Sequence, residues 1–416
     1  PATVPSIIDI ANLEYGGWTP DYLIALDGSN LPVPLQNGYP GAELCCVTVS
    51  SVLLDMQRIQ TIDEHRPVDP VQFRAARESE SIDCAMPSTN VVIKGEPDPE
   101  ASLRRVVYDL LAGARMSEGQ ESLLETFEAL LAHKPVAGHL QRCPFEDCQS
   151  PTRAYRRGVS SYACPCPLQR RLHSTDALRF TEGMNPGGSN GAMFAEVLQV
   201  LERLWVVHIL RTFLANGWAT SLGHLAIIID GPLAVFGHPA WLAPAIQQEL
   251  AKINAVVKQA TGRELLLVGI EKSGPFVDHF ELLDQHERGS QGKFPKQSAL
   301  LLDDAYIKRH IIPSESVKPY GADTYFGRKF FYKNQAGARL VGVLPLLGPG
   351  QDDLSVAHPE QYPRLADTLH LFDQLFSSRY ENAVSALVAA HAAAAIPHHM
   401  GQRVFESLAR SLVPTP

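Results

Sequence analysis

The chain predicts an α/β fold: a mixed sheet flanked by helices. Three observations carry that prediction. Two short apolar runs, Tyr22-Leu-Ile-Ala-Leu26 and Ala226-Ile-Ile-Ile229, each lead into an Asp-Gly pair, Asp27-Gly28 and Asp230-Gly231. They are too short for most helices, and the second is rich in β-branched residues, so both read as buried strands. The second run is followed by a helical segment, 240–261, stopped at Gly262, and then by a third apolar run, Leu265 to Ile270. Strand, helix, strand of that size is a parallel βαβ unit. The first run is followed, without an intervening helix, by a long Val- and Thr-containing stretch at 42–57. That stretch should pair antiparallel with the first strand, because a parallel crossover needs a longer connection.

Taken in order, residues 1–21 read as irregular. The strand at 22–26 closes at Asp27-Gly28-Ser29, and a Pro- and Gly-rich connection leads to the strand at 42–57. Residues 63–86 are charged and polar and read as partly helical; 97–133 reads as helical, with Asp98 before Pro99 as a start signal. Asn190 closes a Gly-rich linker, and a long helix follows over 192–215. After the βαβ unit come a polar loop at 287–298, a helix at 303–310, strands at 321–331 and 337–347, a helix at 362–376 and an Ala-rich helix at 380–395. The expected organisation is a core of 1–62 and 180–416, a mainly helical insertion at 63–140, and a Cys-rich basic module at 141–179.

A formal net charge of −9 argues against a protein that coats nucleic acid nonspecifically. Two local basic stretches stand out: Arg142, Arg153, Arg156, Arg157, Arg170, Arg171 and Arg179, and then Arg328, Lys329, Lys333 and Arg339. Each reads either as a nucleic-acid contact or as a solvated basic face. With no apolar run long enough to span a bilayer and no secretory signal, the expected location is the cytoplasm, away from membranes.

Of the seven cysteines, Cys45 and Cys46 lie in the apolar 42–57 strand and read as core. Cys143, Cys148, Cys164 and Cys166 form two close pairs either side of a hairpin-sized segment, a spacing that suits a structural tetrahedral Zn²⁺, with His173 as a substitute ligand. Reduced, unliganded thiols are the other reading.

The candidate site is acidic. If the two Asp-Gly strands are neighbours, Asp27 and Asp230 reach a shared cation; otherwise each pair is an ordinary turn. Glu202 sits among Leu201, Leu204 and Trp205 in an apolar part of its helix. A carboxylate there is costly to bury unless paired or metal-bound. Glu196, six positions earlier, points to a different face and competes for the role. Lys272 follows the third strand, placed to meet a phosphate or exposed in a turn. His391 lies among alanines and reads as a packed histidine or a site residue.

Strand with Asp, antiparallel strands, helix with Glu, strand with Asp, helix, strand and C-terminal helix with His is the element order of a ribonuclease H-like fold. Along these residues (Leu-Asp27-Gly-Ser, the Glu202 helix, Ile-Asp230-Gly-Pro-Leu, Val-Gly-Ile-Glu-Lys272 and Ala-Ala-His391) the chain resembles the NurA nucleases, over about 20–57 and 190–400. The Cys-rich insertion lies outside the resemblance and suggests a bacterial branch. The resemblance implies a divalent-metal-dependent DNase, Mn²⁺- or Mg²⁺-using with two ions, with 5′ to 3′ exonuclease and single-strand endonuclease activity. It implies a homodimer acting with a HerA-like hexameric ATPase in DNA end resection, repair or anti-phage defence. Carried over, Asp27, Glu202 and Asp230 are metal ligands, His391 completes the site as ligand or proton donor, and Lys272 stands beside it. Tyr380 precedes His391 by eleven residues rather than about eight, a departure from the family pattern. The rival readings are a non-cutting adaptor of a DNA motor and an RNA or branched-DNA nuclease of the same fold.

Overall fold

A computed structural model describes residues 7–35, 39–40, 42–57, 77–134, 148, 159–167, 169–285 and 292–375. Among these residues the strands are β1 (Ile7–Asp9), β2 (Tyr22–Pro34), β3 (Glu43–Asp55), β4 (Arg77–Pro87), β5 (Ser161–Ala163), β6 (Arg171–His173), β7 (Leu225–Asp230), β8 (Leu266–Glu271), β9 (Ser298–Leu301), β10 (Gly327–Lys333) and β11 (Arg339–Pro345). The helices are α1 (Pro99–Gly113), α2 (Leu123–Leu131), α3 (Gly191–Ala215), α4 (Ala219–Leu222), α5 (Leu242–Thr261), α6 (Pro275–Leu283), α7 (Asp304–His310) and α8 (Leu365–Leu375).

Nine strands form one mixed sheet in the order β1-β9-β10-β11-β8-β7-β2-β3-β4, and β5 and β6 form a separate hairpin. The centre, β8-β7-β2, is parallel, with α5 as the crossover between β7 and β8. Both outer arms are antiparallel. The expected βαβ unit is present, and α5 ends where Gly262 adopts the left-handed conformation.

Period-two alternation splits the core into two layers. Ile24 and Leu26 of β2 join a cluster with Val197, Leu201 and Leu204 of α3 and the apolar sides of α1, α2 and α5. Leu23 and Ala25 join another with Leu365, Leu369 and Phe372 of α8 on the opposite face. On the antiparallel arm, Phe276 and Phe280 of α6 and Ile307 of α7 pack on Phe331 and Val341. At roughly 1.5–3 kcal/mol for each large apolar side chain fully buried, these layers supply the main stabilising term. α3 has no polar side in its middle: every residue from 200 to 210 is buried. A helix apolar all round belongs inside, so any polar side chain on that stretch needs a partner or a purpose.

The structure corrects several local expectations. Asp27-Gly28-Ser29 is not a turn, because β2 continues through it to Pro34 and pairs with β3 along its whole length. Residues 77–87, expected within a partly helical stretch, are the edge strand β4, with Ile82 and Met86 inward and Ser81, Asp83 and Ala85 outward. Residues 90–94 are turn and irregular backbone. The expected helix over 97–133 is two helices, the second opened by a Ser122–Glu125 capping box. The basic stretch at 328–339 is not a solvated face. Arg328, Lys329 and Lys333 are buried on β10, where they meet the carbonyls of Gln351 and Asp353, the carboxylate of Glu271, and the carboxylate of Asp284. The two lysines are each matched by a carboxylate, and Arg328 is held by backbone carbonyls. No described helix is long and apolar enough to cross a membrane.

Candidate active site

The parallel register brings the two aspartates together. Leu26 pairs with Ile229 on the last rung between β2 and β7, so Asp27 and Asp230 take the next position on neighbouring strands. Glu202 reaches the same place from α3, whose close approach is set by Gly28. A Cβ on residue 28 would lie 2.6 Å from both Glu202 Oε1 and Leu198 Cδ1, so a larger residue would have to push both side-chain ends aside. Gly231, at φ +84°, turns the chain away directly after Asp230.

Asp27, Glu202 and Asp230 line one open cavity of about 530 Å³, together with Gly28, Arg203, Glu271 and Lys272. Glu196 is not on its wall; it holds His238, with Oε1 3.4 Å from Nδ1 and Oε2 accepting from the His238 amide at 3.3 Å. Of the two glutamates weighed from the sequence, Glu202 is the one in the cavity. Lys272 Nζ donates to Asp230 Oδ2 at 2.8 Å. Arg203, passed over in the sequence, is buried beside them. Its Nη1 donates to Glu202 Oε2 at 2.9 Å, and its Nη2 reaches the Asp230 carbonyl at 3.4 Å. The available signal was an arginine in the apolar middle of a helix next to a glutamate.

The electrostatics are those of acids crowded into one place. Burial pushes the Glu202 carboxyl up to about 7, Arg203 pulls it back, and the charges of Asp27 and Asp230 push it further up. The donor set is all oxygen, and it carries excess negative charge that a hard divalent cation would relieve. That is the chemistry of Mg²⁺ or Mn²⁺ ligands rather than of zinc or copper. The cavity's openness leaves space for a substrate beside the carboxylates.

A second wall of the same cavity was not expected. Glu271 forms a buried ion pair with Lys329, whose Nζ lies 3.8 Å from the Phe276 ring centre and 4.5 Å from that of Tyr325. Burial pushes Lys329 down to about 8 while Glu271 pulls it back. Tyr320, Tyr325, Phe276 and Phe236 all line the cavity.

His391 and Tyr380, like Cys143, Arg153, Arg156 and Arg157, lie outside the described residues. The sulfurs of Cys148, Cys164 and Cys166 lie within 4.8 Å of one another. Cys164 and Cys166 lie in the connection that follows β5, their sulfurs are 2.7 Å apart, and the Cys166 amide donates to Cys164 Sγ at 3.3 Å. Three gathered thiols, two on the hairpin and Cys148 from outside it, are a soft donor set, suited to zinc. His173 is not among them; its ring packs 4.4 Å from that of Tyr108.

No protein-family model matches the chain, and no curated protein matches it in sequence. Among solved structures it is similar to the crystal structure of the NurA nuclease from Sulfolobus solfataricus, at 10% identity and a TM-score of 0.35, over 98% of this chain and 86% of that one. So loose a likeness defines no class of protein, and function rests on the chemistry of the cavity.

Proposed function

We propose that the protein is a divalent-metal-dependent phosphodiesterase acting on DNA. The observation that carries this reading is the convergence of Asp27, Glu202 and Asp230, from three separate elements, into one open cavity. The strand order β4-β3-β2-β7-β8, antiparallel then parallel, supports a ribonuclease H-like core for it.

In this reading Asp27, Glu202 and Asp230 hold Mn²⁺ or Mg²⁺, and two ions fit the number of acids. The chemistry such ions supply is polarisation of the phosphoryl oxygen, a lowered pKa for the attacking water and stabilisation of the leaving oxygen. Arg203 fixes the Glu202 carboxylate and offsets part of its charge when no cation is present. Lys272 is held at the cavity by Asp230 and is free to swing to a substrate phosphate once that carboxylate is engaged elsewhere. His391, by the motif resemblance, completes the site as a ligand or as proton donor to the leaving oxygen. The Cys148, Cys164 and Cys166 cluster, with Cys143, holds a structural Zn²⁺. Its role is to fold a segment with little apolar core of its own.

The same motif resemblance leads us to infer a homodimer that works with a HerA-like hexameric ATPase on DNA ends, in resection, repair or anti-phage defence. Polarity is expected to be 5′ to 3′, with endonuclease action on single strands. A chain of net charge −9 suits an enzyme to which a motor delivers the strand. Arg153, Arg156 and Arg157 are the residues expected to touch DNA.

The test is cleavage of end-labelled single- and double-stranded DNA with Mn²⁺, Mg²⁺ or EDTA, with and without the ATPase. Metal-dependent cutting abolished by Asp27→Asn and by Asp230→Asn is the expected result. Cutting retained in both variants would refute the shared carboxylate site. No cutting by the wild type, even with the partner, would leave the adaptor reading in its place.

A further inference from the structure

Phe236, Tyr325, Tyr320 and Phe276 form a continuous run of rings on the wall of the carboxylate cavity. Phe236 meets Tyr325 edge-on at 5.5 Å, Tyr325 meets Tyr320 at 5.6 Å, and Tyr320 meets Phe276 at 5.6 Å. They come from four places in the sequence, yet the structure holds them firmly. The Val235 amide donates to the Thr324 carbonyl, and the Phe326 amide to the Leu233 carbonyl, so the segments bearing Phe236 and Tyr325 are stitched together. Asp304 accepts from the Tyr320 amide at 2.6 Å. From behind, the Lys329 ammonium sits against Phe276 and Tyr325, and Glu271 anchors it.

Packing explains only the inner rings. Phe276 is buried and Tyr320 and Tyr325 are partly buried, but Phe236 is 38% exposed at the cavity. A lone exposed phenylalanine needs no explanation. This one is the outermost member of a rigid aromatic face that adjoins three carboxylates and Lys272.

We propose that this face is a nucleobase-stacking subsite: it takes the base of the nucleotide whose phosphate lies at Asp27, Glu202 and Asp230. The inference rests on the phosphodiesterase reading and deepens it. An internal base of a duplex has both of its faces covered by its neighbours, so the bases that can lie on these rings are unpaired ones and those at an end. The subsite therefore selects a single strand or a strand end over duplex interior by stacking. It needs no sequence-specific hydrogen bond, because every base offers a flat face. Phe236 supplies the outer contact, and Tyr320 and Tyr325 supply the floor.

The experiment compares wild type, Phe236→Ala and Phe236→Trp on a short single strand carrying one 2-aminopurine, and on the same strand with that base removed. With Ca²⁺, binding to either strand is read by the anisotropy of a fluorescein at its far end and stacking by quenching of the 2-aminopurine; cutting is read with Mn²⁺. The expected result is quenching by wild type, about tenfold weaker binding by Phe236→Ala, the size of one lost stack, and recovery in Phe236→Trp. On the abasic strand the three proteins should differ little, because the contact has already been removed. If wild type cuts the strand but does not quench it, the subsite is refuted while the phosphodiesterase stands. The same holds if Phe236→Ala weakens the normal and abasic strands equally. If wild type neither binds nor cuts, both readings fail together.

Discussion

Glu202 on α3 and Glu249 on α5 are buried to nearly the same degree, 8% and 6% exposed, on helices that pack against each other. Their carboxyls are displaced in opposite directions. Burial pushes both up. At Glu249, His133, Arg211 and Lys252 outweigh burial and bring the carboxyl below its ordinary value. At Glu202 there is one arginine, with two further carboxylates facing it, and the carboxyl rises to about 7. Arg211 also clamps Glu121, whose Oε1 accepts from Thr126 at 2.6 Å, and Thr126 Oγ1 lies 2.8 Å from the buried His208 ring. The second region is a closed network that pairs its charges and ties α2, α3 and α5 together. The first gathers three acids on the wall of one open cavity, where Arg203 meets Glu202 and Lys272 meets Asp230. Burial alone does not mark a functional carboxylate; burial without enough countercharge, in a cavity, does.

Substitution should separate the two regions most sharply in activity. Asp230→Asn is expected to lower Mn²⁺-dependent cleavage by at least about 1000-fold, since several kcal/mol of transition-state stabilisation depend on the ligand set. Glu249→Gln should leave cleavage within about threefold. It should instead lower folding stability by about 3 kcal/mol, because Arg211 loses half of its buried pairing. Cleavage rates and denaturant midpoints on the two variants would expose any exchange of roles.

The stability of the metal-free protein should depend on pH with opposite signs at the two glutamates. Glu202 binds its proton more tightly in the folded chain than in the unfolded one, whose value is 4.5, so its ionisation costs stability as pH rises from 4.5 through 7. Glu202→Gln should therefore be more stable than wild type at pH 8, by up to about 3 kcal/mol, with the difference vanishing by pH 4. Glu249 is depressed, so its contribution is present above 4.5 and is lost as pH falls through its lower folded value. Glu249→Gln should be the less stable protein at pH 8 and approach wild type in acid. Two denaturation series across pH check both slopes; parallel slopes would break the contrast.

Gly28→Ala should cost about 1–3 kcal/mol of stability, because the new methyl meets Glu202 and Leu198 at 2.6 Å. It should also depress cleavage by moving Glu202. Gly113→Ala, where nothing lies within 4 Å of the added carbon, is the control. The smallest effect on activity is expected at the hairpin thiols. Cys164→Ser should remove about one equivalent of bound zinc, read by elemental analysis, and change cleavage only a few-fold, since that donor set is separate from the carboxylates.

Much of the carboxylate site was legible in the sequence. Asp230 follows a β-branched apolar run too short for most helices, and Glu202 stands in the apolar middle of a long helix, where a charge demands explanation. The turn expected at Asp27-Gly28 was wrong because β3 supplies a ladder partner all the way to Pro34, so tertiary pairing overrode the turn preference. The edge strand β4 was hidden by its polar residues, which an edge position tolerates on its outward side. Lys329 and Lys333 read as surface because their buried partners, Glu271 and Asp284, are remote in sequence. The aromatic wall was illegible for the same reason: positions 236, 276, 320 and 325 share no period and meet only in the folded chain.

The central claim is that Asp27, Glu202 and Asp230 share a divalent cation, and Mn²⁺ binding tests it most directly. Paramagnetic resonance of free Mn²⁺ during titration of the metal-free protein would give the affinity of wild type and of Asp27→Asn, Glu202→Gln, Asp230→Asn and Glu249→Gln. Each of the first three substitutions should weaken binding by at least about tenfold, and Glu249→Gln should leave it unchanged. Wild-type affinity in all three cavity variants, with folding intact, would contradict the shared site.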